Sequence, residues 1–234
     1  MIKLKNLVSE MKTDVLWSNP NFRTWFGDSK VIDKNRNPMI VFHGTKTPPL
    51  QFSRKRMGWG STMFGNYQIE RHGIFAAEDP QLANEFVNAG DDEKERILGH
   101  SIMPLLMRIE SPIDTTKAYS DALFNAIEEW GDNHTEWFDD KDNPHHGYRI
   151  ARILGDAWGN KMWLLFDKDS YNDPEMWITM FKDLGYDGLR MYEQSEIENN
   201  ISWVAFDPSQ VKSAIGNIGK FDDSNSDITG ENIQ

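Results

Sequence analysis

Apolar positions in this chain come in short clusters, and the spacing within each cluster decides the element it predicts. Asn21-Phe22-Arg23-Thr24-Trp25-Phe26-Gly27 reads as a short helix that packs its aromatics on the core and stops at glycine. Residues 1–20 before it read as an N-terminal helical segment. Val31-Ile32 and Met39 to Phe42 flank the turn-forming run Asp33 to Pro38, which predicts a hairpin over 30–43. Residues 46–72, with Gly58, Gly60 and Gly65, read as a long loop over a site. Gly73-Ile74-Phe75-Ala76-Ala77 is a short strand. Glu78-Asp79-Pro80 then opens a helix over Gln81 to Asn88, with Leu82, Ala83 and Phe86 on one face.

The second half alternates more regularly. Residues 89–100 are charged and read as helix or loop, and Ile102 to Ile109 as a strand interrupted by Pro104. Tyr119 to Trp130 and Tyr148 to Trp158 carry helical periodicity, so residues 110–172 read as a helical insertion. Asp173 to Leu184 is a helix with Pro174 in its first turn. Leu189 to Tyr192 and Ile201 to Phe206 are strands joined by a polar loop, Glu193 to Asn200. Val211 to Asn217 is short and amphipathic. Residues 219–234 hold few large apolar side chains and read as a disordered tail, which leaves 21–218 as the folded domain.

Composition narrows the chemistry. A chain of 234 residues can bury a core without staples, and it contains no cysteine, so disulfides, thiolate metal sites and cysteine nucleophiles are excluded. Acidic residues outnumber basic ones 37 to 25, for a net charge of −12, which disfavours broad nucleic-acid binding. Arg54-Lys55-Arg56 forms one basic cluster, read as a solvated loop. No run approaches the length of a membrane span, and the start lacks a signal-peptide core, so a cytoplasmic protein is expected. His145-His146 beside Asp139, Asp140 and Asp142 lacks a helical i, i+4 ligand pair, and no metal is expected. There is no phosphate loop and no Gly-x-Ser-x-Gly elbow.

The chemistry concentrates in Pro38-Met39-Ile40-Val41-Phe42-His43-Gly44-Thr45. A strand that ends in His-Gly sets a ring nitrogen beside a backbone that another group can approach closely, because glycine has no Cβ. That suits a flat, amide-bearing ligand. The same residues also fit a buried strand running into a glycine turn.

Three pieces, His43-Gly44-Thr45, the Gly73 to Ala77 strand with the helix carrying Phe86, and the last strand Ile201 to Phe206, together resemble the ADP-ribosyltransferase family. The branch is the His-Tyr-Glu one of diphtheria-toxin and poly(ADP-ribose) polymerase type. The nearest likeness is to domains of large phage and mobile-element polyvalent proteins. Trp25 to Val31, Leu184-Gly185-Tyr186-Asp187-Gly188 and Phe206-Asp207-Pro208-Ser209-Gln210 extend the likeness, which spans roughly 20–88 and 176–228. The resemblance implies an α+β fold: a split, mostly antiparallel β core with flanking helices. It implies NAD as substrate, a protein acceptor in a bacterial host, and release of nicotinamide. His43 would bond a ribose hydroxyl, Gly44 would hold the nicotinamide amide through its backbone, and Thr45 would help to position NAD. Phe75 and Phe86 would stack on the nicotinamide, in place of the tyrosines usual there. The family's glutamate position falls on Ser202, which cannot supply a charge. Glu198 or Glu196 in the preceding loop would then be the acid, with Gln210 a structural cap. The alternatives are a non-catalytic NAD-binding or protein-binding module of the same fold, and transfer to a nucleic acid.

Overall fold

A computed structural model of the chain describes residues 13–45, 48–53, 55–62, 65–88, 101–168 and 173–230. The readings made for residues 1–12, 89–100 and 231–234 lie outside the described residues. The expected α+β class is the one observed, and its organising layer is a seven-stranded sheet in the order β6-β7-β8-β4-β1-β5-β9. The strands are β1 (Val41–Thr45), β4 (Ile74–Ala77), β5 (Ser101–Met107), β6 (Pro112–Asp114), β7 (Gly188–Tyr192), β8 (Ile201–Ala205) and β9 (Val211–Ser213). All neighbours are antiparallel except β6 and β7. Strands β2 (Lys55–Thr62) and β3 (Gly65–His72) form a separate hairpin.

Side-chain alternation assigns each residue to one of two faces. Phe75, Leu189, Met191, Val204 and, past the strand end, Phe206 join the larger core, where they meet the helices of the insertion. Val41, Ile74, Ala76, Leu105, Trp203 and Ala205 build the core on the opposite face. Helix α2 (Pro20–Phe26), which follows α1 (Thr13–Ser18), supplies Phe22, Trp25 and Phe26, all buried around Leu106 and Phe221. Asn19 caps α2, its side chain accepting from the Asn21 and Phe22 amides. Helix α6 (Pro174–Asp183) follows the expected pattern, with Asp173 as N-cap and Pro174 in the first turn.

Five sequence expectations need correction. The expected hairpin over 30–43 is a tight turn around Asp33 with a single bridge, Ile32 to Pro38, because the Asp33 carboxylate accepts the Asn35 and Asn37 amides and closes the chain locally. The long loop over 46–72 contains the β2–β3 hairpin, whose glycines sit within paired strand. The 110–172 insertion begins with a strand: β6 runs parallel to β7 and joins the main sheet, and the helical part starts only with α4 (Asp121–Asn133). The tail expected from residue 219 is ordered to residue 230. Buried Lys212 donates to the Asn225 carbonyl (2.5 Å) and the Asp227 carbonyl (3.0 Å), Ser213 N–H bonds Ile228 O, and Phe221 and Ile228 are buried in the core, so a few polar and apolar anchors hold a stretch poor in apolar residues. Pro104 does not interrupt β5; it lies within the strand opposite Phe42.

Helices α4 and α5 (His146–Ala157) cross at two glycines, Gly131 and Gly147. A Cβ on Gly147 would stand 1.8 Å from the Glu128 carbonyl oxygen, a backbone atom that cannot swing aside. An alanine in a helix interior normally gains about 1 kcal/mol over glycine. Here overpacking wins, and Gly147→Ala is expected to lower stability by about 2 kcal/mol, read as a lower midpoint at unchanged slope in urea unfolding.

Candidate active site

The site is built on the edge where β1 and β4 part. Their ladder holds one pair, Phe42 with Ala77, while β1 stays paired to β5 through Thr45. Extending the β1–β4 register by two residues would set Gly44 opposite Phe75. His43 closes the gap: its Nδ1 lies 2.7 Å from the Phe75 carbonyl oxygen. A carbonyl only accepts, so Nδ1 carries the proton, and in that tautomer Nε2 is an acceptor. Phe52 meets the His43 ring edge-on at 5.0 Å and fixes its plane.

Gly44 has a packing reason as well. A Cβ there would lie 2.1 Å from the Ala83 carbonyl oxygen and 2.6 Å from Val87 Cγ2, so helix α3 (Pro80–Asn88) rests directly on the β1 backbone. Phe86, between those contacts in sequence, is 42% exposed beside this crossing. Phe75 is only partly buried. Its ring meets Phe166 edge-on at 5.7 Å, and the Arg71 guanidinium lies over it at 5.4 Å. The two phenylalanines thus come from a strand and a helix that both border Gly44. Thr45 is buried at the end of β1.

Across β4 lies β8, with Ala77 paired to Ser202. Ser202 is two strands from β1, about 10 Å at ordinary sheet spacing. It is fully buried, and its hydroxyl makes no hydrogen bond of ordinary geometry among the described residues. Glu196 and Glu198 are exposed in the loop between β7 and β8, while Ile197 between them packs on the Phe42, Ala77, Leu82 and Ala83 cluster. Gln210 is a clip: its side-chain amide donates to the Arg108 and Asp187 carbonyls, at 2.9 and 2.8 Å. Asp187 in turn accepts the Glu110 and Ser111 amides. These two motifs of the resemblance therefore tie β7 to its neighbours away from Gly44. Arg71 forms a two-pronged pair with buried Asp167, at 2.5 and 2.8 Å. His146 lies flat on Phe138 at 4.1 Å and is buried. The side chains of the Arg54 to Arg56 cluster lie outside the described residues.

The residue that the sequence reading passed over is Glu193, counted there as the first residue of a polar loop. It continues the β7 alternation one step past the strand, on the face of Leu189 and Met191. The backbone pairing continues with it: Glu193 N–H bonds Asn200 O at 2.7 Å. That alternation was the available signal. Only 6% exposed, it is pushed up to about 7, chiefly by burial. The nearby Ser202 hydroxyl and the Arg71 charge pull the other way, and Asp167 adds to the rise. The hydroxyl is thus near enough to favour the carboxylate without forming a well-aligned bond.

A carboxyl whose folded pKa is raised binds its proton more tightly when folded. Its contribution is fully present below the unfolded value near 4.5 and is lost as pH rises through about 7. The loss amounts to about 3 kcal/mol. Urea unfolding of wild type and Glu193→Gln at pH 5 and pH 7.5 should show this extra decline in the wild type and not in the variant.

Among the described residues no helix is long and apolar enough to cross a membrane, and no group of three or more histidines and acids is placed to hold a metal ion. No curated protein and no solved structure matches the chain. The family model described as ADP-ribosyltransferase in polyvalent proteins matches residues 33–221, a span that includes β1, β4, α3, Glu193 and Ser202. The chain belongs to that family of ADP-ribosyltransferase domains.

Proposed function

We propose that this domain binds NAD at the parting of β1 and β4 and transfers its ADP-ribose to a protein acceptor, releasing nicotinamide. The observation that carries the reading is His43, held by the Phe75 carbonyl at 2.7 Å beside a glycine backbone. In that tautomer Nε2 can accept a ribose hydroxyl. Gly44 would take the carboxamide through its backbone, with Thr45 anchoring the strand end. Phe86 and Phe75 supply aromatic faces for a cationic pyridinium ring. The acceptor is proposed to be a protein of a bacterial host, the setting cytoplasmic and the origin a phage or related mobile element. Family membership and the sequence resemblance support that setting.

A second reading is a module of the same fold that binds NAD or a protein without turnover. It is favoured by the buried, uncharged Ser202 and by the exposure of Glu196 and Glu198. The two readings part on one assay. Purified protein with NAD should release nicotinamide, followed by chromatography. His43→Ala should weaken NAD binding about tenfold by calorimetry, the loss of one well-placed hydrogen bond. Tight NAD binding with no release, with and without host extract as acceptor, supports the module. Equal NAD affinity in wild type and His43→Ala contradicts the placement of NAD.

A further inference from the structure

Loss of nicotinamide from NAD breaks the bond between the ribose C1′ and the pyridinium nitrogen. Both electrons leave with nicotinamide, which departs neutral, and positive charge builds on the ribose. An acceptor lone pair then forms the new bond to C1′ and its proton passes to a base or to solvent. A fixed negative group beside the ribose lowers this barrier, as in glycoside hydrolysis. The identity of that group is the open question in this chain.

The acids near the sheet sort themselves by partner. Asp167 is committed to Arg71 through two contacts. Glu70 and Glu175 both bond His72, at 2.7 and 3.0 Å. Glu78 faces the opposite side of the sheet, accepting from Trp203 Nε1 at 3.0 Å and from Arg190 at 3.4 Å. Glu196 and Glu198 are exposed. Glu193 alone among these combines burial with a carboxyl that is in no ion pair of the described residues.

Glu193 follows β7, the third strand from β1 and about 14 Å from it at ordinary sheet spacing, and its side chain lies on the face that Phe75 and Ser202 share. Met191 pairs with Ser202, so Glu193 stands diagonal to Ser202 on the same sheet face, within reach of a long side chain. Phe75 and Ala77 share that face on the adjoining strand. The Ser202 hydroxyl makes no hydrogen bond of ordinary geometry among the described residues, yet it lies near enough to the Glu193 carboxyl to favour its charged form. A buried, unpaired acid next to an unpartnered buried hydroxyl costs stability, and such groups cluster at functional sites.

We propose that Glu193, delivered from β7 rather than from the loop residues Glu196 or Glu198, is the carboxylate that faces the nicotinamide ribose, with Ser202 as its hydroxyl partner. This rests on the NAD-consuming reading above. Glu193 and Ser202 are buried, and Ile197 of the loop between β7 and β8 packs on Phe42 and Ala77, so access of the ribose to the carboxyl requires local opening here. Arg71, Asp167 and Ser202 are the polar and charged groups that set its titration.

The test is nicotinamide release and NAD calorimetry on wild type, Glu193→Gln, Glu193→Asp, Glu196→Gln and Glu198→Gln, each checked by thermal melting. Glu193→Gln is expected to lower kcat about 100-fold with NAD affinity within about threefold, the loss of one preorganised electrostatic group. Wild-type kcat/KM should rise with pH through about 7, and this limb should disappear in Glu193→Gln. Glu193→Asp keeps the charge and should retain intermediate turnover, which a purely structural role does not predict. Full activity in Glu193→Gln, or collapse in Glu196→Gln or Glu198→Gln instead, overturns the assignment while leaving the NAD reading intact. A well-folded wild type that neither binds NAD nor releases nicotinamide overturns that reading and this assignment together.

Discussion

The missing side chain at Gly44 is the constraint on which the site depends. Any Cβ would collide with the Ala83 carbonyl oxygen, so α3 can lie on β1 only over a glycine. That contact brings Phe86 to the edge of β1 and buries Leu82 and Ala83 against Phe42 and Ala77. His43 follows from the same local geometry: where β1 leaves β4, its ring reaches the Phe75 carbonyl in place of continued ladder pairing. One glycine thus sets the packing of the helix and, in the proposed function, would also let a ligand approach the strand. A substitution there reports on both together, which is why the functional tests use neighbours.

The second theme is how an acidic chain manages its buried charges. With a net charge of −12 the protein carries many more carboxylates than it needs for ion pairs. Several near the sheet are nevertheless satisfied: Asp167 by Arg71, Glu78 by Arg190 and Trp203, Asp187 by two backbone amides. Lys212 shows the converse, a buried ammonium shifted down by burial and held by carbonyls of the tail. Against this background a buried glutamate with no ion pair is an expense that packing alone does not explain. The proposed catalytic role would give it a use.

Much of the frame was legible in the sequence because local signals agreed with the global fold. Asp173-Pro174 announced a helix start, and the apolar runs at Val41, Ile74, Leu189 and Ile201 announced the central strands. The parts that escaped were those set by long-range pairing. Strand β6 is too short to show a period, and it is a strand only because β7 lies beside it. The glycine-rich β2–β3 hairpin carries turn residues inside paired strands. The ordered tail hangs on a few anchors, buried Lys212, Phe221 and Ile228, that are too sparse to show a period. Glu193 escaped because it follows the last apolar residue of β7, where a charged side chain ordinarily marks a loop. Its role rests on the three-dimensional neighbourhood of Ser202, which no spacing rule encodes.

The central claim, that the nicotinamide end of NAD seats at Gly44, is tested most directly by following the Gly44 backbone amide in a proton–nitrogen correlation spectrum during ligand titration. NAD is expected to shift the Gly44 and Thr45 amides saturably, and ADP-ribose, which lacks nicotinamide, to leave Gly44 much less perturbed. Shifts confined to residues away from β1, or identical shifts at Gly44 with both ligands, would contradict it.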